Sequence, residues 1–326
     1  MASRDPIKIV SIGGGTGLST LLCGLKRFLH PHSVEPEIQL TAIVTVTDDG
    51  ESSGRLRTEF DVLPPGDIRN CLVALADEAN PLTALFRHRF PGDGSVGGHS
   101  LGNLLILALH QLGGNFLTAI EQAGQLLGIR ARVLPSTLDR VDLVTRLNGK
   151  TVRGQVAIKS QNTPICELAI DPPDARALPA SVAAIYEADL ITLGPGSLFT
   201  SVIANLLVKG AAEALAESRA RKIYICNAMT EFDETDGFSA EDHVRQLLAY
   251  APALKLDYAL FNSTPISAAM LKKYEAEKAR PIVLPLSELS ESGETRYVAL
   301  PLISESRAVR HDPELLSRAI FDIYAR

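Results

Sequence analysis

A strand that stops abruptly at a run of glycines constrains the fold of this chain more than any other stretch. Residues 7–12 are mostly apolar and β-branched, and residues 18–28 carry leucine and phenylalanine at helical spacing. A buried strand, a tight turn and a helix in this order begin an α/β domain with a doubly wound, mostly parallel sheet. The turn between them consists of Gly13, Gly14, Gly15, Thr16 and Gly17.

The same turn predicts an anion site. The N–H groups of the new helix point into the turn and its dipole favours negative charge, so a phosphate group is the expected ligand. The dinucleotide pattern G-x-G-x-x-G fails at Leu18, where a small residue is needed, and no Lys-Ser/Thr pair completes a phosphate loop. We therefore predict phosphate binding of a non-standard type; the alternative is a strand-to-helix turn with no ligand.

Length and charge narrow the class of protein. A chain of 326 residues can bury a sizeable core, and we predict one α/β domain over 1–326 with a three-layer α/β/α sandwich. A net charge of −6 argues against nucleic-acid binding through a basic face. We find no signal peptide and no apolar run long enough to cross a membrane, so we expect a cytoplasmic protein. The scattered cysteines are expected to be free thiols: Cys23, Cys71, Cys166 and Cys226.

Strands and helices alternate along the rest of the chain. The pattern predicts strands at 39–46, 190–193, 222–226 and 258–261, and helices at 67–76, 81–86, 101–111, 116–127, 177–187, 240–250, 267–278 and 313–324. Asp67 and Asp312 are the expected N-caps of their helices. Residues 47–66 are predicted to be a structureless binding loop. Residues 129–171 are predicted to be a small β-rich insertion, with a hairpin turn at Asn148-Gly149.

Small or polar residues follow five of the predicted strands. Ligands of open α/β sheets bind beyond the carboxyl ends of the strands, so these residues outline a polar crevice. Glycines on two of the loops would let backbone approach a diphosphate from two sides. The residues are Gly13, Thr47 with Asp48, Gly194 with Gly196, Asn227 and Asn262.

Several charged residues near this crevice have two interpretations. One of Asp48 and Asp49 could hold a divalent metal on phosphate oxygens or bind a sugar hydroxyl, or the pair could cap a turn. Arg55, Arg57 and Arg69 could bind phosphate with two N–H groups, or pair with nearby carboxylates. His99 stands beside a second glycine-flanked helix start, although a single histidine is more often structural. No nucleophile and base occur at recognisable spacing.

Seven motifs together resemble those of the YvcK-type gluconeogenesis factors, which belong to the superfamily of CofD, the 2-phospho-L-lactate transferase of coenzyme F420 synthesis. The likeness spans nearly the whole chain. One departure is Glu51, where many members carry a small residue. The motifs are IGGGTGLS (12–19), VTVTDDG (44–50) with SSGRLR (52–57), PPGDIRN (64–70), GHSLGN (98–103), GPGSL (194–198), YICNAMT (224–230) and RH (310–311).

The resemblance implies a Rossmann-like fold and a cytoplasmic protein. It further implies binding of UDP-sugars such as UDP-N-acetylglucosamine, or of NAD(P), with no required cofactor and with Mg²⁺ as a possible ion. Asp48 and Asp49 are the candidate metal ligands. The implied nucleotide and phosphate contacts are Gly13, Gly14, Gly15, Thr16, Gly17, Ser52, Ser53, Arg55, Asp67, Arg69, Asn70, His99, Asn103, Gly194, Pro195, Gly196, Ser197, Asn227, Tyr274 and Arg310.

These observations lead to three hypotheses. The first is a regulatory protein that binds a UDP-sugar and links gluconeogenic growth to cell shape and cell-wall synthesis through an unidentified protein partner. The second is a CofD-like, Mg²⁺-dependent transferase that uses a nucleotide-activated donor. The third, an NAD(P)-dependent oxidoreductase, is disfavoured by the broken glycine pattern. A homodimer is a further expectation, with the apolar last helix as its face.

Overall fold

The computed structural model describes residues 5–29, 37–147, 149–161, 163, 165, 167–282, 284, 295–305 and 308–325. Its strands are β1 (Ile7–Gly13), β2 (Ile38–Val44), β3 (Arg132–Pro135), β4 (Asp142–Leu147), β5 (Lys150–Arg153), β6 (Leu168–Asp171), β7 (Leu190–Leu193), β8 (Arg221–Ile225), β9 (Tyr258–Asn262), β10 (Arg296–Leu300), β11 (Ile303–Glu305) and β12 (Val309–His311).

The α-helices surround these strands. They are α1 (Gly15–Leu25), α2 (Glu51–Phe60), α3 (Gly66–Leu75), α4 (Pro81–Arg87), α5 (Leu101–Gly113), α6 (Phe116–Leu126), α7 (Gln155–Lys159), α8 (Pro179–Glu187), α9 (Ala204–Leu206), α10 (Ala211–Glu217), α11 (Ala240–Tyr250), α12 (Ala268–Ala276) and α13 (Pro313–Tyr324). A π-helical segment, Leu198–Ile203, precedes α9, and a 3₁₀ turn, Lys26–Phe28, follows α1.

A seven-stranded sheet forms the centre of the fold, in the order β10-β9-β8-β7-β1-β2-β3. Every neighbouring pair in it is parallel. The chain builds outward from β1 to β3, then returns to place β7 on the other side of β1. The strand order therefore reverses between β1 and β7, which is where doubly wound sheets bind ligands. The predicted Rossmann-like fold class is confirmed.

The first strand and helix fold as predicted from their sequence. Strand β1 pairs with β2 and β7 and is buried from Ile9 to its end at Gly13. Parallel strands covered on both faces have continuous apolar sequences, as β1 does. Helix α1 buries Leu18, Leu21 and Leu22 completely, since they recur on one face of the helix.

The predicted β-rich insertion is present but begins later than predicted. Strands β5, β4 and β6 form an antiparallel sheet, and the register of Leu147 with Lys150 confirms the hairpin. Asn148 of the predicted turn lies outside the described residues, as does Cys166. Strand β3, within the predicted range 129–171, instead pairs with β2 in the central sheet. We use the term inserted sheet for β4, β5, β6 and α7.

Two predictions about residues 47–67 are wrong. The segment predicted to be structureless contains α2, whose buried face includes Leu56 but also Ser52, Ser53 and Arg57. Three of these four residues are polar, so the helical period is hidden from a search for apolar residues. The N-cap of α3 is Pro65, and Asp67 lies in the first turn with no capping hydrogen bond.

The last helix, α13, begins as predicted, but its apolar side is not exposed. Asp312 caps α13 as predicted, because its carboxylate accepts hydrogen bonds from the N–H groups of Glu314 and Leu315. The apolar side of α13, including Leu316 and Ile320, is buried in the core beside α1. The expectation that this side forms a dimer face is therefore wrong. Strands β10, β11 and β12 and helix α10 were not predicted.

Two further expectations concern thiols and membranes. The structure describes Cys23, Cys71 and Cys226 as free thiols, as predicted. Within the described ranges, no helix combines the length and the apolar character needed to span a bilayer.

Candidate functional site

A cleft of about 620 Å³ opens beyond the carboxyl ends of β1, β7 and β8, at the reversal of strand order. Pockets of this size hold small organic ligands. The structure brings eleven of the predicted site residues together in its wall: Gly14, Gly15, Thr16, Gly17, Asp48, Asp67, Gly196, Ser197, Asn227, Tyr274 and Arg310.

The turn between β1 and α1 presents the positive end of a helix to this cleft. The N-cap of the 11-residue helix α1 is Gly14, which has no side chain to cap the helix. Gly15 has φ of +60°, a backbone conformation that favours glycine. Its N–H group donates to the carboxylate of Asp67. The remaining first-turn N–H groups and the helix dipole leave partial positive charge at this point of the cleft.

Gly17 is required for packing rather than for a ligand. A Cβ atom at this position would lie 2.5 Å from the carbonyl oxygen of Pro195. The turn that starts α1 therefore packs directly on the loop that follows β7. This contact brings the two glycine-containing loops of the predicted crevice side by side.

Two carboxylates lie close to the positive end of α1. Burial, reinforced by the negative charge of Asp48, raises the pKa of Asp67 to about 6. The Asp48 carboxylate accepts a hydrogen bond from the N–H of Gly50 at 3.0 Å. Within the described ranges, no group of three or more His, Cys, Asp and Glu side chains is placed to hold a metal. Two carboxylates completed by phosphate oxygens and water are a donor set that suits Mg²⁺.

The second glycine loop differs from the first because protein groups already use its donors. The N–H of Gly196 donates to Oδ1 of Asn227 at 3.1 Å, and the hydroxyl of Ser197 donates to Oε2 of Glu231. Nδ2 of Asn227 donates to Oε1 of Glu231 at 2.8 Å. Like charges 4 Å apart repel by about 4 kcal/mol at an effective dielectric constant of 20. The Glu231 charge therefore disfavours phosphate at this loop.

The inserted sheet contributes to the same wall. Gln155 of α7 lines the cleft, and Lys159 lies 3.7 Å from Glu231 and 2.8 Å from Glu234. The pKa of Glu234 is raised, mainly by burial. The two glutamates raise the pKa of Lys159 although burial opposes them. Lys159 thus forms ion pairs with both carboxylates.

Residues from the C-terminal part close the cleft on a third side. Tyr274 accepts a hydrogen bond from the N–H of Val309 at 3.0 Å, and Arg310 is exposed beside it. Burial lowers the pKa of His311 to about 4, although a hydrogen bond to the backbone of Cys226 acts to raise it. Nε2 of His311 is buried without a partner among the described residues. At neutral pH this imidazole is uncharged, so Nε2 is a free hydrogen-bond acceptor.

The charges of the described cleft wall are mostly negative. Asp48, Asp67, Glu231 and Glu277 line it, whereas Arg310 is its one permanently charged cation within the described ranges. For a phosphate-containing ligand, the end of α1 and Arg310 are the attractive features of this wall, and a divalent cation on the carboxylates would offset their repulsion.

Four predicted contacts form a separate cluster, in which Ser52, His99 and Asn103 are buried and Arg55 is exposed. The Ser52 hydroxyl lies 2.9 Å from Nδ1 of His99 and accepts a hydrogen bond from Nδ2 of Asn103 at 3.0 Å. Arg55 donates to the carbonyl groups of Ser95 and Gly97. These bonds tie α2 to the start of α5. None of the four residues lines the cleft.

The remaining predicted residues stand behind or beside the cleft. Asn70 bonds the Asp67 carboxylate, and Nε of Arg69 has no partner among the described residues. Asp49 accepts a hydrogen bond from the N–H of Val156 at 2.9 Å, so its carboxylate faces α7. Two further residues make backbone hydrogen bonds: the carbonyl of Gly13 accepts from the N–H of Thr45, and the N–H of Gly194 donates to the carbonyl of Ile12. The other two make packing contacts, Pro195 with Gly17 and Ser53 with Gly66.

Sequence reasoning missed Glu231, His311 and Gln155. Glu231 stands six residues after the end of β8, whereas the sequence analysis considered only the residues that directly follow each strand. His311 belongs to a quoted motif but lies on β12, which was not predicted. Gln155 reaches the cleft only because the inserted sheet folds back onto the central fold.

Comparisons with known proteins give consistent matches. Residues 9–302 match the family model described as 2-phospho-L-lactate transferase CofD. The gluconeogenesis factor of Bacillus subtilis strain 168 is 39% identical over 317 residues, covering 97% of this chain and 98% of that protein. That of Halalkalibacterium halodurans is 40% identical over 315 residues, covering 96% and 95%. A crystal structure of a Bacillus halodurans protein superimposes with a TM-score of 0.90 at 40% identity, covering 97% of this chain and all of that one.

Proposed function

Because the chain belongs to the CofD family and, within it, to the gluconeogenesis factors, we propose that it binds a nucleotide sugar such as UDP-N-acetylglucosamine and acts as a regulatory protein in the cytoplasm. One observation carries the binding part. The positive end of α1, where Asp67 accepts only the N–H of Gly15, opens on a cleft of about 620 Å³ at the reversal of strand order. A diphosphate fits this positive end, with Arg310 as a second attraction.

The regulatory part rests on the relatives. Two of them are named gluconeogenesis factors, which supports a role in growth on gluconeogenic carbon sources. In our proposal the ligand-bound state is read by a protein partner, connecting carbon metabolism with cell shape and cell-wall synthesis. NAD(P) is the alternative ligand, since it also carries a diphosphate.

Calorimetric titration of the purified protein tests this proposal. UDP-N-acetylglucosamine, NADP and GDP are each titrated with and without Mg²⁺, and the nucleotides are recovered and analysed. Micromolar binding of the UDP-sugar, recovered intact, supports the proposal. The variant Arg310→Gln should weaken binding, whereas Arg245→Gln, on an exposed side chain of α11, should leave it unchanged. No binding of the UDP-sugar by the wild-type protein would contradict the proposal.

The two carboxylates beside the phosphate end favour a second candidate, a CofD-like transferase. Asp48 and Asp67 would hold Mg²⁺ on the phosphates of a nucleotide-activated donor, and the ion would stabilise charge on the phosphate oxygens. In this case GDP binding requires Mg²⁺, and a donor is consumed when an acceptor is added. Asp48→Asn should then abolish turnover while donor binding without metal persists. Unchanged turnover in that variant would exclude this role for Asp48.

A further inference from the structure

Glu231 presents unused hydrogen-bonding capacity to the cleft. Its side chain is 34% exposed. Oε1 accepts from Asn227 at 2.8 Å, and Oε2 accepts from the hydroxyl of Ser197. A carboxylate has about four acceptor positions, so these two bonds fix its orientation and leave acceptor positions free.

The surroundings hold this carboxylate in place. Lys159 lies between Glu231 and the buried Glu234, so one positive charge faces two negative ones. The group as a whole is negative, which disfavours a phosphate beside it. Groups that donate hydrogen bonds without carrying negative charge are favoured there.

Hydroxyl groups are the uncharged donors that accompany a diphosphate in nucleotide sugars, and they suit the free acceptor positions of Glu231. His311 lines the same cleft and is 8% exposed, but its Nε2 is buried beneath the cleft surface and has no partner among the described residues.

We infer that Glu231 recognises a hydroxyl group of the bound ligand, on its ribose or on its sugar, and that Lys159 is the positioning residue that holds Glu231 for this contact. This inference rests on the proposed function. It places the phosphates at the start of α1 alone and gives the loop around Gly196 and Ser197 a different task, which is to orient Glu231.

The test compares wild-type protein with Glu231→Gln in titrations with UDP-N-acetylglucosamine, UDP and 2′-deoxy-UDP. If Glu231 binds the ribose, the wild type prefers UDP to 2′-deoxy-UDP by about tenfold, and the variant loses the preference. If it binds the sugar, the wild type prefers UDP-N-acetylglucosamine to UDP by about tenfold, and that preference is lost instead. Either result supports the inference, and a thermal unfolding curve confirms that the variant is folded.

Lys159 gives a second test through the same ratio. Lys159→Met should reduce the preference seen in the wild type, whereas Lys159→Arg, which keeps the charge, should retain it. A merely structural role would lower the stability of Lys159→Met without changing the ratio between ligands.

Three results would overturn the inference. They are equal wild-type affinities for all three probes, preferences that persist in Glu231→Gln, and tighter UDP binding by that variant, which would place a phosphate beside Glu231. Failure of the proposed function gives a different result: the wild-type protein then binds none of the UDP compounds. That result would also rule out the inference about Glu231.

Discussion

The Nζ atom of Lys159 lies 2.8 Å from a carboxylate oxygen of Glu234, a side chain that is 1% exposed. The other carboxylate oxygen of Glu234 has no partner among the described residues. A buried carboxylate of the central fold thus depends on a lysine supplied by the inserted sheet. The attachment of that sheet and the stability of the cleft wall are therefore coupled.

This pair predicts a loss of stability in Lys159→Met. Removing one partner leaves a buried charge uncompensated; because Lys159 is partly exposed, we expect a loss of about 2 kcal/mol, below the range for fully buried pairs. Adding Glu234→Gln should recover part of the loss. Urea unfolding measures both. The matched control is Lys8→Met, since Lys8 pairs with Glu187 at 3.6 Å on the exposed surface and should cost less than about 0.5 kcal/mol. Equal losses in the two lysine variants would contradict the prediction.

Asp67→Asn is expected to stabilise the metal-free protein at neutral pH. The folded-state pKa of Asp67 is about 6, above its ordinary value of 3.8, so ionisation destabilises the fold as pH rises through this window. Asparagine removes that effect. We expect a gain of about 3 kcal/mol at pH 7 that largely disappears near pH 4. Denaturant unfolding with a chelator present measures it, and a variant less stable than the wild type at pH 7 would disprove the argument.

His311 predicts the opposite pH dependence. Its folded-state pKa of about 4 is below the ordinary 6.5, so the unfolded chain binds the additional proton and the fold loses stability as pH falls from 6.5 towards 4. In His311→Gln this contribution is absent. The wild type should therefore lose about 3 kcal/mol relative to the variant between pH 7 and pH 4. Parallel stability curves for the two proteins would show that His311 does not titrate in this way.

Gly17→Ala tests the contact between the two glycine loops. The added methyl group would lie 2.5 Å from the Pro195 carbonyl oxygen, and a backbone atom cannot move aside without shifting its loop. We expect a destabilisation of about 2 kcal/mol and weaker ligand binding. Gly113→Ala is the control, because its methyl group would meet side-chain atoms only at ordinary contact distance. If both variants behave alike in thermal unfolding, the loops are not closely packed.

The sequence predicted the fold best where local and tertiary preferences agree. Strand β1 and helix α1 are apolar at the positions that the core covers, and Asp312 caps α13 through its own neighbours. Helix α2 was missed because Arg57 is buried by pairing with Asp142 at 2.6 Å, a partner 85 positions away that no local pattern reveals. Ion pairs across the fold can replace apolar contacts, and periodicity does not detect them.

The candidate site was predictable only in part, for a related reason. Asn227 directly follows a predicted strand, so the rule for parallel sheets placed it at the crevice. His99 and Ser52 stand in specific motifs, yet the structure shows them bonded to each other in a buried cluster. A motif specifies which residues matter, but not whether they contact a ligand or support the elements that do. The roles of Glu231 and Lys159 required the three-dimensional arrangement.

The inserted sheet occupies the crossover between β3 and β7, the connection that joins the two halves of the central sheet. This segment lies outside the pairing of β1 with β2 and β7. In our proposal, the diphosphate is held at the start of α1, whereas Gln155 and Lys159 of the inserted sheet influence which ligand is chosen. Chimaeras that swap residues 142–171 between relatives would therefore be expected to change ligand preference while keeping diphosphate binding.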